Sequence, residues 1–196
     1  MKLVIATRNK HKLEEIQAIF EGSDLSICSA FDYPEIPDVV EDGDTFEANA
    51  IKKAREIAAA TQCHALADDS GLVVSALNGE PGVYSARYAG DHCSYADNNA
   101  KLLRALDGVD DRSAHFVTVI ALSDPEGVVQ CVEGICRGGI IQELRGENGF
   151  GYDPLFVPEG YSETFAELDS EVKNKISHRA MALIEAKKQW AALLSP

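Results

Sequence analysis

KLVIA (residues 2–6) is a short, continuous, apolar run, and directly behind it Leu13, Ile16, Ile19 and Phe20 recur at helical spacing until Gly22. An unbroken run of that length suits a strand buried on both faces, and the 3.6-residue period predicts an amphipathic helix. A chain that opens in this way is committed to packing helices against a sheet. Between the two lies TRNKHK (7–12), read as a polar loop. Strand, loop and helix in that order suit a nucleotide site, but the loop has no glycine and is neither a Walker motif nor a dinucleotide fingerprint.

The same grammar continues along the chain. LSICSA (25–30) reads as a second strand, and FDYPEIPDVVEDGD (31–44) as an acidic, proline-bearing loop. Phe46, Ala50, Ala54, Ile57 and Ala58 mark a long helix that Asp44 or Thr45 would cap. HALA (64–67) enters the stretch LADDSGL (66–72), where Asp, Ser and Gly together predict a turn, and LVVSAL (72–77) resumes as a strand. LNGEPGVYSARYAG (77–90) is turn-rich and aromatic. A helix is expected from Ser94, with Asp97 as its capping-box partner, to Gly108. HFVTVIAL (115–122) and GVVQCVEGICRG (127–138) flank Asp124-Pro125-Glu126 and predict an antiparallel hairpin. GENGFGYDPLFVP (146–158) reads as a glycine-rich loop entering a short strand, and Ser177 as the cap of a helix reaching about Leu194. With no repeat and no linker, residues 1–196 form one domain, a mixed sheet with flanking helices.

The formal charge of −14 argues against a general nucleic-acid binder, whose backbone affinity comes from many Lys and Arg. The few cations are concentrated, however. Lys2, Arg8, Lys10 and Lys12 lie in an acid-free opening, and Lys173, Lys175 and Arg179 in acid-free VKNKISHR (172–179). Seven of the chain's 18 Lys and Arg therefore sit where they can converge on one polyanion. The five cysteines (28, 63, 93, 131, 136) are odd in number and form no CxxC pair, which supports neither a disulfide framework nor a zinc site. The opening apolar run is far shorter than the roughly 20 residues of a membrane span. A reduced, cytoplasmic protein with no membrane partner is expected.

Adjacent carboxylates at Asp68 and Asp69, with Glu41, Asp42 and Asp44 upstream, are the hard-oxygen donors that suit Mg²⁺, which binds through one or two carboxylates plus substrate phosphates. Asp42 and Asp44 read first as solvated loop or cap residues, whereas Glu41 fits either role. Carboxylates, a cation and clustered Lys and Arg together suggest phosphate-ester chemistry, in which positioning and charge neutralisation do most of the work. Beside a metal, Asp69 is a credible base for water. Lys12 is expected to hold phosphates, with Thr7 and Asn9 as positional donors, while Arg8 and Lys10 fit either a phosphate or a solvent-facing role. Phe150 in GFGYD offers a ring for base stacking or for the core, and His178 with Arg179 offers donors to a ring carbonyl.

Six ordered motifs, ATRNKHK, TFEANAIKKA, LADDSGL, PGVYSARYAG, GFGYDPLF and KNKISHRAMAL, span nearly the whole chain. In them the sequence resembles the inosine triphosphate pyrophosphatase family. The resemblance implies an elongated α/β fold whose long mixed sheet forms two lobes around a central cleft, usually as a homodimer. It implies Mg²⁺-dependent cleavage of XTP, ITP and dITP between the α and β phosphates, giving nucleoside monophosphate and pyrophosphate. Carried onto matching positions, it makes Thr7, Arg8, Asn9, Lys10, His11, Lys12, Ser70, Phe150, Gly151, Tyr152, Asp153, Lys173, His178 and Arg179 nucleotide contacts. Asp69 becomes the general base, Glu41 and Asp69 the metal-binding acids, and Asp68 a neighbour shaping the site. The chain departs from the family's pattern at His11, often Gly, and Ala48, often Glu, for which Glu47 is a candidate substitute. A pyrophosphatase for modified pyrimidine triphosphates and a non-catalytic nucleotide sensor are the competing readings.

Overall fold

The computed structural model describes residues 1–191. A six-stranded sheet has the order β2-β1-β3-β4-β5-β6, built from β1 (Lys2–Ile5), β2 (Ser26–Ser29), β3 (His64–Val74), β4 (Ser113–Ser123), β5 (Val129–Ile140) and β6 (Phe156–Pro158). Helices α1 (Lys10–Phe20), α2 (Phe46–Thr61), α3 (Tyr95–Ala105), α4 (Ser170–Ile176) and α5 (His178–Gln189) complete it. β1 pairs in parallel with β2 and β3, whereas β5 and β6 are antiparallel, so the sheet is mixed as the sequence predicts.

The chain divides into two compact units. The first comprises residues 1–69, 118–134 and the described residues from Arg179 onward. Here β1 is buried on both faces: Leu3 and Ile5 pack with Ile16, Phe20, Leu183 and Trp190, while Val4 packs with Ile57 and Ala58. Small residues let α2 approach the sheet closely, with Ala50 and Ala54 against Ala67, Val119 and Ala121. Thr45 is the cap of α2, its hydroxyl accepting from the Ala48 amide.

The second unit comprises residues 70–117 and 135–178. Leu72, Val74, Leu102, Leu106, Phe116, Phe156 and Phe165 are central to its core. Phe116 meets Phe156 edge-on at 4.8 Å between ring centroids, and Phe165 lies 5.1 Å from Phe156. Since the Phe165 ring is fully buried, Phe165→Ala should destabilise the protein by about 3–5 kcal/mol, read as a lower denaturation midpoint with an unchanged denaturant slope. α3 carries the expected capping box, in which Ser94 and Asp97 bond reciprocally.

Three local expectations are corrected. TRNKHK is not all loop, because Asn9 caps α1 by accepting from the amides of His11 and Lys12, which starts the helix at Lys10. The predicted turn at Asp-Asp-Ser-Gly is uninterrupted strand from His64 to Val74. β3 lies between β1 and β4, so its backbone finds ladder partners that outweigh local turn preference. Beyond Val74, residues 75–77 form a 3₁₀ turn rather than continuing the strand. The final helix starts directly behind Ser177 as predicted, and a further helix, α4, precedes it with Ser177 extended between the two. The predicted reach of that helix to Leu194 lies outside the described residues.

Candidate active site

Successive side chains of a strand point to opposite faces, and this resolves the crowding of Asp68 and Asp69 in β3. Asp68 meets Lys12 of α1 at 2.9 Å and Arg179 of α5 at 3.1 Å. Asp69 meets α2 instead, accepting from Asn49 Nδ2 at 3.0 Å and lying 3.8 Å from Lys53 Nζ. In direct side-chain contact the two carboxylates thus face different cations, Lys12 and Arg179 for Asp68 and Lys53 for Asp69.

The two acids are driven in opposite directions. Burial opposes ionisation of Asp68, but the charges of Lys12, Arg179 and Lys53 outweigh it and hold the carboxyl far below the usual carboxylate range. For Asp69 burial dominates, reinforced by the nearby Glu41 charge, and its pKa is raised despite Lys53 and Lys12. A raised carboxylate pKa moves toward that of a useful general base. The main chain of Asp69 is fixed as well, since Thr118 Oγ1 donates to its carbonyl.

Lys53 joins the acids of this unit. Its ammonium donates to Glu41 and to the Asp68 carbonyl, besides facing Asp69. Burial would lower its pKa, but Asp68, Asp69 and Glu41 together raise it. Among the described residues, no three His, Cys, Asp or Glu side chains converge as a metal cluster. Glu41 and Asp69 nevertheless face one positive charge, the ammonium standing where a cation is favoured. Two carboxylates of this kind are the hard-oxygen donors that would suit a Mg²⁺ ion.

The other predicted residues of the first unit are placed as follows. The Thr7 hydroxyl accepts from the Asn9 amide at 3.1 Å. Arg8 clamps the acidic loop by donating to the carbonyls of Tyr33 and Ile36 and pairing with Asp38, a structural task. Lys10 and His11 are exposed on the first turn of α1, and His11 lies 4.0 Å from Glu14. Arg179, expected at a base edge, is 2% exposed and engaged by Asp68 and Glu15. Glu47, the candidate substitute at the Ala48 departure, is exposed, and its charge adds to burial in raising the pKa of the Cys131 thiol.

In the second unit the GFGYD loop is tightly built. Asp153 accepts from the Phe150 amide at 2.9 Å and from Lys173 Nζ at 2.7 Å. Gly149 is obligatory, because its φ is +76° and an added Cβ would stand 2.1 Å from Asp153 Oδ2. Lys173 also lies over the Phe150 ring at 4.9 Å. Asn99 donates to the Gly151 carbonyl, and the buried Tyr152 hydroxyl donates to the Ser85 carbonyl. The His178 ring stacks on Phe116 at 4.7 Å and 12°. Ser70 is half-buried within β3.

A model of the Ham1 family matches residues 3–189. The chain belongs to the Ham1 family. It is 53% identical over 188 residues to a dITP/XTP pyrophosphatase of Desulforamulus reducens, covering 95% of this chain and 94% of that protein. It is 50% identical to one of Geobacter sulfurreducens, covering 98% of each. A Ham1 protein structure from Coxiella burnetii superposes with a TM-score of 0.90 at 42% identity, covering 98% of this chain and 99% of that one.

Three further residues of the candidate site, Glu15, Asn49 and Lys53, are not singled out by the sequence motifs. Lys53 left a signal, a lysine at helical spacing within the Ala50–Ala54 face of α2 and 8% exposed in the fold. Asn49, 2% exposed beside Ala50, left a weaker one of the same kind. Glu15 left none, since a glutamate on α1 reads as solvated surface.

Proposed function

We propose that this chain hydrolyses noncanonical purine nucleoside triphosphates, dITP, XTP and ITP, to the nucleoside monophosphate and pyrophosphate. The observation that carries the reading is Asp69, a buried carboxylate of raised pKa beside Glu41 and Lys53. Binding alone does not require a base held in that state. The dITP/XTP pyrophosphatase names of its relatives support the same substrate class.

Asp69 takes the proton from a water that attacks the α-phosphorus, the bond to the bridging oxygen breaks, and pyrophosphate departs. Asn49 holds one carboxylate oxygen and so fixes the orientation of the base. Lys12 faces the phosphates; its side chain is 17% exposed, and Asp68 keeps its ammonium in place. Thr7 and Asn9 order the turn that presents it. Mg²⁺ held by Glu41 and Asp69 would neutralise phosphate charge and acidify the water. For the base, Phe150 supplies a stacking face, ordered by Asp153 and Lys173.

No helix among the described residues is long and apolar enough to cross a membrane. The five unpaired cysteines suit a reducing compartment, and the cytoplasm is the proposed location. A homodimer is proposed from the family resemblance.

The test is a turnover panel of dITP, XTP and ITP against dGTP, dATP and pyrimidine triphosphates. Preference for the first three supports the reading, preference for a modified pyrimidine overturns the substrate class, and tight dITP binding without turnover makes the chain a sensor. Chelation with EDTA should abolish turnover and excess Mg²⁺ restore it. Undiminished turnover in EDTA would remove the metal from the account.

A further inference from the structure

The second unit holds a trough of about 810 Å³, lined by the β4 and β5 segments of that unit, β6 and residues 159–162, and sharing no residue with the acids or the GFGYD loop. Its floor follows from register. The Ile140 amide donates to the Arg112 carbonyl, so counting inward along the antiparallel pair sets His115 directly opposite Arg137. On the other side β5 pairs Gly138 with Pro158, which sets Arg137 opposite Glu159. Alternate residues Ala114, Phe116, Cys136 and Ile140 are buried in the core, so this row lies on the face away from it. Gly139 contributes only backbone to the floor, while Ile135 (39% exposed) and Tyr161 (40% exposed) present apolar surface.

The charges there run against the chain's average. In a protein of charge −14, the trough's lining gathers Arg137, Arg145 and His115 with Glu159 as its one acid, and Glu167 faces Arg145 at 3.6 Å from outside the lining. Arg145 is held in place, donating to the Ser162 carbonyl at 3.0 Å. Arg137 is exposed, and its guanidinium makes no hydrogen bond or ion pair with any described residue, Glu159 included. The volume lies within the range of small-molecule sites, and guanidinium forks suit phosphate oxygens.

We propose that this trough is a second ligand site, specific for a phosphate monoester carried on a planar or apolar body. Arg137 and Arg145 take the phosphate, and Ile135 and Tyr161 cover the body. The site is independent of the catalytic reading, since none of these residues belongs to the proposed reaction.

The test is an amide-resolved NMR titration of the full chain with phenyl phosphate, inorganic phosphate and phenol, following Gly138, Gly139 and Gly160. Saturable shifts with phenyl phosphate, weakened at least about tenfold in Arg137→Ala while dITP turnover is retained, support the site. No saturable shift at those glycines overturns it, as does equal binding by Arg137→Ala. Equal affinity for inorganic phosphate overturns the role given to the apolar body. Saturation by phenol alone overturns the anion-binding assignment.

Discussion

Asp69→Asn should lower dITP turnover by roughly 10²–10⁴-fold, the usual contribution of a positioned base, while nucleotide binding is largely kept. The variant should also melt higher than wild type at neutral pH. The sign follows from linkage: the folded pKa of Asp69 lies above its ordinary value, so ionisation costs the folded state more than the unfolded one. That cost is absent below about pH 4, where the carboxyl is protonated in both states, and is complete above the raised folded pKa. The stability gain of the Asn variant should therefore disappear on acidification. Lys53 keeps Glu41 and the Asp68 carbonyl as partners, so the amide does not strand its ammonium. Wild-type turnover in the variant would sink the base assignment, and a lower melting temperature at pH 7 would contradict the burial argument.

Asp68→Asn should do the reverse and cost about 3–5 kcal/mol of stability, because it leaves the cations of Lys12 and Arg179 buried without their shared carboxylate. Here the folded pKa is depressed, so the stabilisation is present above the unfolded value of about 3.9 and is lost as pH falls below it. The gap between wild type and variant should stay level from pH 8 to about pH 5 and begin to narrow only below about pH 4. A gap that closes near pH 6 would assign the effect to another group. Turnover should fall too, since Lys12 loses the anchor that aims it.

These two neighbours show what could be read from the sequence and what could not. The double burial of KLVIA, the Ser94–Asp97 capping box and the break at Asp124-Pro125-Glu126 are local features, and each appears in the fold. LADDSGL has strong local turn chemistry, and taken by itself it predicts a turn. What keeps it a strand is non-local: the ladders to β1 and β4, and cations from residues 12, 53 and 179. Glu15 and Arg179 are 164 residues apart, and no spacing rule connects them. Ser177 reads as the cap of the last helix because extended serine before a helical run is ordinary capping grammar, and α5 does start at His178. The same residue also ends α4, and periodicity alone does not reveal that preceding helix. The basic segments were legible as a class, but their division of labour was not. Arg8 clamps a loop, Lys12 faces the acids, and Lys173 orders the Phe150 loop.

In the proposed reaction, water deprotonated by Asp69 attacks the α-phosphorus. Hydrolysis of dITP in ¹⁸O-labelled water tests it most directly. The label should appear in the nucleoside monophosphate, with unlabelled pyrophosphate as the other product. Label in the pyrophosphate would place the attack at the β-phosphorus, and orthophosphate as the primary product would place the cleavage at the other anhydride bond; either result contradicts the account.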